Sequence, residues 1–172
     1  GVLTIIIIED NEGANTDEEL DLYIYNVEDL AGNEIDDDFI TADDNAGPVL
    51  MEAETTSATT ITAIFSEDLD EETIDASDFT VEDNTVTNAE ETDDGEVTLT
   101  LGTSINADAT PDVTITAGVL EDINGNPNVE RTVNPADATP PGISGVTPTP
   151  NTTGLDPNNP GITVTFDEDV TI

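Results

Sequence analysis

Short runs of alternating apolar and polar residues recur along the chain, and β-branched side chains fill most of the apolar places. Glu96-Val-Thr-Leu-Thr-Leu101 and Ile162-Thr-Val-Thr-Phe166 are typical. In an extended strand successive side chains point to opposite faces, so this alternation predicts strands with one face in a core and one in water. Seven such strands are expected over residues 49–53, 60–65, 78–82, 85–89, 96–101, 113–116 and 129–133. The segments between them carry turn chemistry: Asp93-Asp-Gly95, Asn106-Ala-Asp-Ala-Thr-Pro111 and Asn124-Gly-Asn-Pro127. Glycine supplies positive φ there, and proline or asparagine fixes the bend. No stretch of helix length shows a 3.6-residue period. The expected fold is all-β, a sandwich of about seven strands.

The pattern also repeats. The turn Asp29-Leu-Ala-Gly-Asn33 returns as Asp122-Ile-Asn-Gly-Asn126, and each follows a strand, Leu22 to Tyr25 and Val113 to Thr116. Asp44-Asn-Ala-Gly-Pro-Val-Leu50 returns as Asp137-Ala-Thr-Pro-Pro-Gly-Ile143, a proline-marked linker entering a strand. Thr60-Ile-Thr-Ala-Ile-Phe-Ser-Glu-Asp-Leu69 returns as Gly161-Ile-Thr-Val-Thr-Phe-Asp-Glu-Asp-Val170, with the spacing lengthened by Thr152 to Pro160. From Asp29 to Asp122 and from Asp44 to Asp137 is in each case 93 residues, the length of one sandwich module. Residues 1–43 then read as the C-terminal half of a module, 44–136 as a complete one and 137–172 as the N-terminal part of a third. On this register the chain is expected to be a window on a longer polypeptide. An alternative is that the part-modules of neighbouring copies exchange strands to build a fibre.

Charge changes the picture. Of the 172 residues 41 are Asp or Glu, Arg131 is the one basic residue and histidine is absent, which gives a formal net charge of −40. Such acidity suits either a disordered solvating segment or a folded domain from an organism living in concentrated salt. The strand periodicity favours the folded reading. At about 0.1 M salt the screening length is roughly 10 Å and like charges repel across the whole particle; in molar salt it is about 3 Å and the penalty largely disappears. A halophilic microbe, an archaeon or a bacterium, is the expected source.

The pieces Asp137-Ala-Thr-Pro-Pro-Gly-Ile-Ser-Gly-Val-Thr-Pro148, Ile162-Thr-Val-Thr-Phe-Asp-Glu-Asp-Val170, Phe65-Ser-Glu-Asp-Leu69 and Asp122-Ile-Asn-Gly-Asn126 resemble the bacterial and archaeal Ig-like repeat domains of surface-layer proteins and large repetitive adhesins. The resemblance spans nearly the whole chain. It departs at Asp44-Asn-Ala-Gly-Pro48, which has one proline, and at Asp167, where the family usually has serine. What it implies is an immunoglobulin-like sandwich in each module and an extracellular or cell-surface role as a structural array. A surface layer, sheath, stalk or filament would fit, and so would the spacer of an adhesin; no catalytic residues come with it.

Candidate chemistry is narrow. Without His, Cys or Lys most general bases, nucleophiles and phosphate-binding cations are missing, so no enzyme is expected. Paired carboxylates of the glycosidase kind are inevitable by chance among 41, and no aromatic sugar platform accompanies them. One arginine cannot neutralise a phosphate backbone or hold an anionic membrane, so neither nucleic acid nor direct membrane binding is expected. The expected partners are neighbouring modules of the same polypeptide or further copies of it. The candidate ligand is Ca²⁺, which takes six to eight hard oxygens. In a seven-strand sandwich the entering linker and the turns after the second and sixth strands share one end. That end should gather Asp43, Asp44, Glu67, Asp68, Glu121, Asp122 and Asn124 where one module meets the next. At the following junction the corresponding set is Asp137, Asp167, Glu168 and Asp169. Solvated halophilic surface acids are the competing reading. Asp122-Ile-Asn-Gly-Asn126 is not the start of an EF-hand, since Pro127 stands where that loop needs Gly and Val133 where it needs Glu. Asn151-Thr-Thr153 is an N-glycosylation sequon in a turn-rich insertion, so Asn151 is a candidate acceptor.

Overall fold

The structure, a computed structural model, describes residues 21–34, 38–41, 44–149 and 161–171. Within it residues 44–137 form a β-sandwich. The seven expected strands are all present, as β3 (Leu50–Ser57), β4 (Thr60–Phe65), β5 (Phe79–Val81), β6 (Val86–Asp93), β7 (Glu96–Leu101), β8 (Val113–Ile115) and β9 (Arg131–Val133), followed by a short β10 (Ala136–Asp137). One sheet has the order β10-β3-β4-β7-β6 and the other β5-β8-β9. The first and last thirds of the chain each contribute a two-stranded antiparallel sheet. These are β1 (Asp21–Ile24) with β2 (Asp38–Thr41), and β11 (Ile143–Thr147) with β12 (Thr163–Phe166).

Alternation delivers the core as the sequence predicts. In β4 and β7 every second residue is buried, so Ile61, Ala63, Phe65, Val97, Leu99 and Leu101 face inward while Thr62, Thr98 and Thr100 face outward. From the opposite sheet Phe79, Val81, Val113 and Ile115 meet them, and Leu50, Leu69 and Leu120 belong to the same cluster. Phe65 and Phe79 join the two sheets edge to face, with ring centroids 6.4 Å apart. At roughly 1.5–3 kcal/mol for each large apolar side chain buried, this cluster is the main favourable term of the fold.

The strands differ from the expected ones mainly at their ends. β3 runs four residues past 53 because Thr55 continues the pairing with β4. β5 begins one residue late, because Ala76–Asp78 forms a 3₁₀ turn capped by Asp75, which accepts from the Ser77 N–H while its own N–H donates to Asp78. The last strand starts at Arg131 rather than 129, because Asn128 leaves the ladder. Its Oδ1 accepts from the N–H groups of Val119 and Leu120 and its Nδ2 donates to the carbonyls of Thr116 and Val129, which satisfies a fully used amide in a buried place. The outer edge, β6, carries Glu90, Glu91 and Asp93 and two register shifts, features that discourage further strand pairing there.

Two of the segments that resemble each other in sequence make matching hydrogen bonds. Where β4 ends, Ser66 accepts from the Val49 N–H at 3.0 Å through Oγ and returns its own N–H to the Val49 carbonyl at 2.9 Å. Where β12 ends, Asp167 accepts from the Gly142 N–H at 2.6 Å through Oδ1 and returns its N–H to the Gly142 carbonyl at 3.1 Å. Asp167 thus makes at the end of β12 the bonds that Ser66 makes at the end of β4.

Candidate functional site

The repeated Asp-x-x-Gly-Asn turn is an interlocked unit. Oδ1 of Asp122 accepts from the N–H groups of Asn124 and Asn126 at 2.8 and 2.7 Å, and its Oδ2 accepts from Asn126 Nδ2 at 2.7 Å. Asp29 makes the same bonds to Ala31, Asn33 and Asn33 Nδ2 at 2.8, 2.8 and 2.7 Å. Both turns place their glycine, Gly32 or Gly125, at φ 86°, a conformation that L side chains rarely adopt. This is why the motif spells Asp, Gly and Asn at those spacings.

Asp122 is fully buried. Burial pushes its carboxyl up, but the hydrogen bonds from Asn126, Asn124 and Gly125 outweigh it and hold the group below the ordinary carboxylate range. Around it the linker and the end of β4 converge. Carboxylate oxygens of Asp44, Glu67 and Asp122 lie within 4.8 Å of one another, with Glu67 buried and Asp44 half-buried. Asn124 donates to Asp44 Oδ2 at 3.0 Å and Asn126 donates to the Asp44 carbonyl at 3.3 Å, so the linker is tied to the turn. Gly47 completes the fit: a Cβ there would collide with the Pro127 carbonyl.

A second acid group joins the sandwich to the two-stranded sheet that follows it. Oxygens of Asp108, Asp137 and Glu168 lie within 4.8 Å of one another, Asp108 coming from the loop before β8, Asp137 from β10 and Glu168 from the turn after β12. Among the described residues Glu168 Oε1 is a buried side-chain oxygen with no hydrogen-bond partner. Desolvation raises the Glu168 pKa, and the negative charges of Asp137, Asp108 and Asp167 raise it further.

Not all the candidate ligands join these groups. Asp68 lines a separate cleft with Glu71, Glu91 and Asp93. There burial, and then the charges of Asp68 and Glu71, push the Glu91 carboxyl up although it accepts from the Gly95 and Leu69 N–H groups. Glu121 and Asp169 are exposed and belong to neither group; Asn124 acts as a donor to Asp44; Asp167 is engaged by Gly142. Asp43 and Asn151 lie outside the described residues. Sequence reasoning missed Asp108, because the loop at 106–111 belongs to the opposite end of its own module from Asp122. Only the docking of the next linker makes it a neighbour of Asp137. It also missed Asn128, which stands just before the strand expected at 129–133.

The description of one protein family, bacterial Ig-like domain, matches residues 44–134, more than half of the chain. The chain belongs to the bacterial Ig-like domain family. No curated protein and no solved structure matches it. Bacterial Ig-like domains are typically non-catalytic modules of bacterial surface proteins, and membership is consistent with a surface or structural module of that kind. Among the described residues no helix is long and apolar enough to cross a membrane.

Proposed function

We propose that the chain is a non-enzymatic spacer, a run of Ig-like modules in an extracellular structural polypeptide of a halophilic microbe, such as a surface layer, sheath, stalk or fibre. The spacer region of a surface adhesin shares these features. The observation that carries the reading is the junction after residue 134, where residues of the complete module and of the next part-module sit in one group. Asp137 pairs with β3 of the module before it and stands beside Glu168 of the part-module after it. A module whose exit linker is built into its own sheet suits a serial array. Antibody raised against the chain and imaged by electron microscopy should label regular material on the cell surface; labelling confined to the cell interior would overturn the reading.

Ca²⁺ at the module ends belongs to the same proposal. Two oxygens bound to one Ca²⁺ at about 2.3–2.6 Å stand no further apart than about 5 Å, and both acid groups meet that spacing. Asp122 Oδ2, which accepts one hydrogen bond, keeps a lone pair for a cation. Titration of the full chain with Ca²⁺ at fixed molar ionic strength is expected to raise the melting temperature, with Asp44→Asn/Glu67→Gln and Asp137→Asn/Glu168→Gln each removing part of the rise. No rise with Ca²⁺ would withdraw the cation and leave the spacer reading standing.

A second reading, strand exchange between copies, is favoured by the apolar side chains that the last part-module exposes. Ile143, Ile162 and Val164 are 66, 65 and 42 % exposed. If copies cover these residues, the purified chain should sediment as fibres and Val164→Asp should dissolve them; a monomer at high concentration would retire the reading.

A further inference from the structure

Among the described residues every strand pair is antiparallel except one, β10 with β3, where Ala136 faces Glu54 and Asp137 faces Thr55. β3 is the first strand of the complete module and β10 its last. We infer that this pair is a mechanical clamp through which tension along the chain is borne.

The geometry of loading follows from strand direction alone. Tension pulls β3 backward, toward its N-terminal end at Leu50, and pulls β10 forward, toward its C-terminal end at Asp137. In parallel strands these two forces act along the strand axis in opposite senses, so every bond across the seam is strained together, in shear. Were the terminal strands antiparallel neighbours, the same tension would enter at one end and open the bonds one after another.

Thr55 bonds across the seam through both its carbonyl and its hydroxyl. The Thr55 carbonyl accepts from the Ala138 N–H at 3.1 Å and from Thr139 Oγ1 at 3.0 Å. The Thr55 hydroxyl, fully buried, is shared between the Ala136 carbonyl at 3.4 Å and Asp137 Oδ1 at 3.3 Å. Asp137 Oδ1 also accepts from the Thr139 N–H at 2.9 Å, which fixes the linker as it leaves the sheet. A threonine with its hydroxyl inward in a strand where Leu50 and Ala53 are the other buried side chains departs from the apolar pattern of the core. Its partners all lie in the exit linker, so its hydroxyl serves the seam. The inference concerns the module itself and stands whether or not the chain is a spacer.

Single-molecule pulling of the full chain at molar salt tests it. The chain has no cysteine, so one added at each end gives a defined attachment. Opening the clamp frees the stretch from Leu50 to Asp137, roughly 300 Å at about 3.5 Å per residue, which identifies the event. Thr55→Val keeps the shape and removes the hydroxyl, and the rupture force should fall by roughly a third or more, since bonds in the seam share the load. Thr55→Ser should restore it. Thr98→Val, which removes a hydroxyl paired with Thr92 at 3.1 Å on the outer face of β7, should leave the force unchanged. Wild-type force in Thr55→Val, or an equal drop in Thr98→Val, would overturn the clamp. If Thr55→Val does not fold, Ala138→Pro removes the linker N–H at an exposed position and the same two outcomes decide.

Discussion

Asp29 and Asp122 build the same turn with the same three hydrogen bonds, yet Asp29 is exposed and Asp122 is completely buried. A parallel contrast holds for a strand. Ile61 in β4 is fully buried, whereas Ile162, its counterpart just before β12, is 65 % exposed. In each case local sequence is enough to fold the turn or pair the strand. What differs is the cover. In the complete module the linker at Asp44 and the end of β4 are laid against the turn, and β5 and β8 against the strand. A module's stability therefore resides in how its pieces pack, not in the pieces.

The strongest way to break this comparison is to place a charge on both counterparts. Ile61→Asp buries an unpaired carboxylate and should cost at least about 4–5 kcal/mol, enough to abolish the main thermal transition followed by circular dichroism in molar salt. Ile162→Asp should leave that transition in place, and a matching loss would show that the last part-module contributes to the core. Next in size, Asp122→Ala removes the acceptor of three hydrogen bonds, from the Asn124 and Asn126 N–H groups and the Asn126 side chain, and empties a buried place; it should cost about 3 kcal/mol, a fall of some 12–20 °C in Tm for a domain of this length. Asp29→Ala should not move the same transition. Smaller again, Ser66→Ala removes the acceptor of the Val49 N–H and should cost about 1 kcal/mol in denaturant titrations, while Asp167→Ala should spare the complete module.

The smallest effect is that of pH, and its sign separates the two acid groups. Glu168 is raised, so the folded state binds the proton more readily and stability falls as pH rises from the ordinary glutamate range through the raised value. Asp122 is lowered, so its contribution is present above the ordinary aspartate range and is lost as pH falls toward the lowered value. Scanning calorimetry at molar salt should show Glu168→Gln removing a gain on mild acidification and Asp122→Asn flattening the loss at lower pH. An unchanged acid limb in Asp122→Asn would mean that its hydrogen bonds do not favour the charged form.

Alternation and turn chemistry determined the strands along the chain and their inward residues, because burying one face of a strand requires a period of two and a glycine at positive φ leaves a mark in any sequence. The Asp-x-x-Gly-Asn turn was legible for the same reason: the bonds that its aspartate accepts come from within five residues. Shared sandwich ends also let the sequence bring Asp44, Glu67 and Asp122 to one place. Tertiary structure alone decided the rest. Asp108 meets Asp137 and Glu168 only once the next linker has docked, and Thr55, which reads as an ordinary strand threonine, faces inward to bond a segment more than eighty residues away. Contacts of that span leave no local pattern, since their partners are chosen by which strand lies beside which and in which direction it runs.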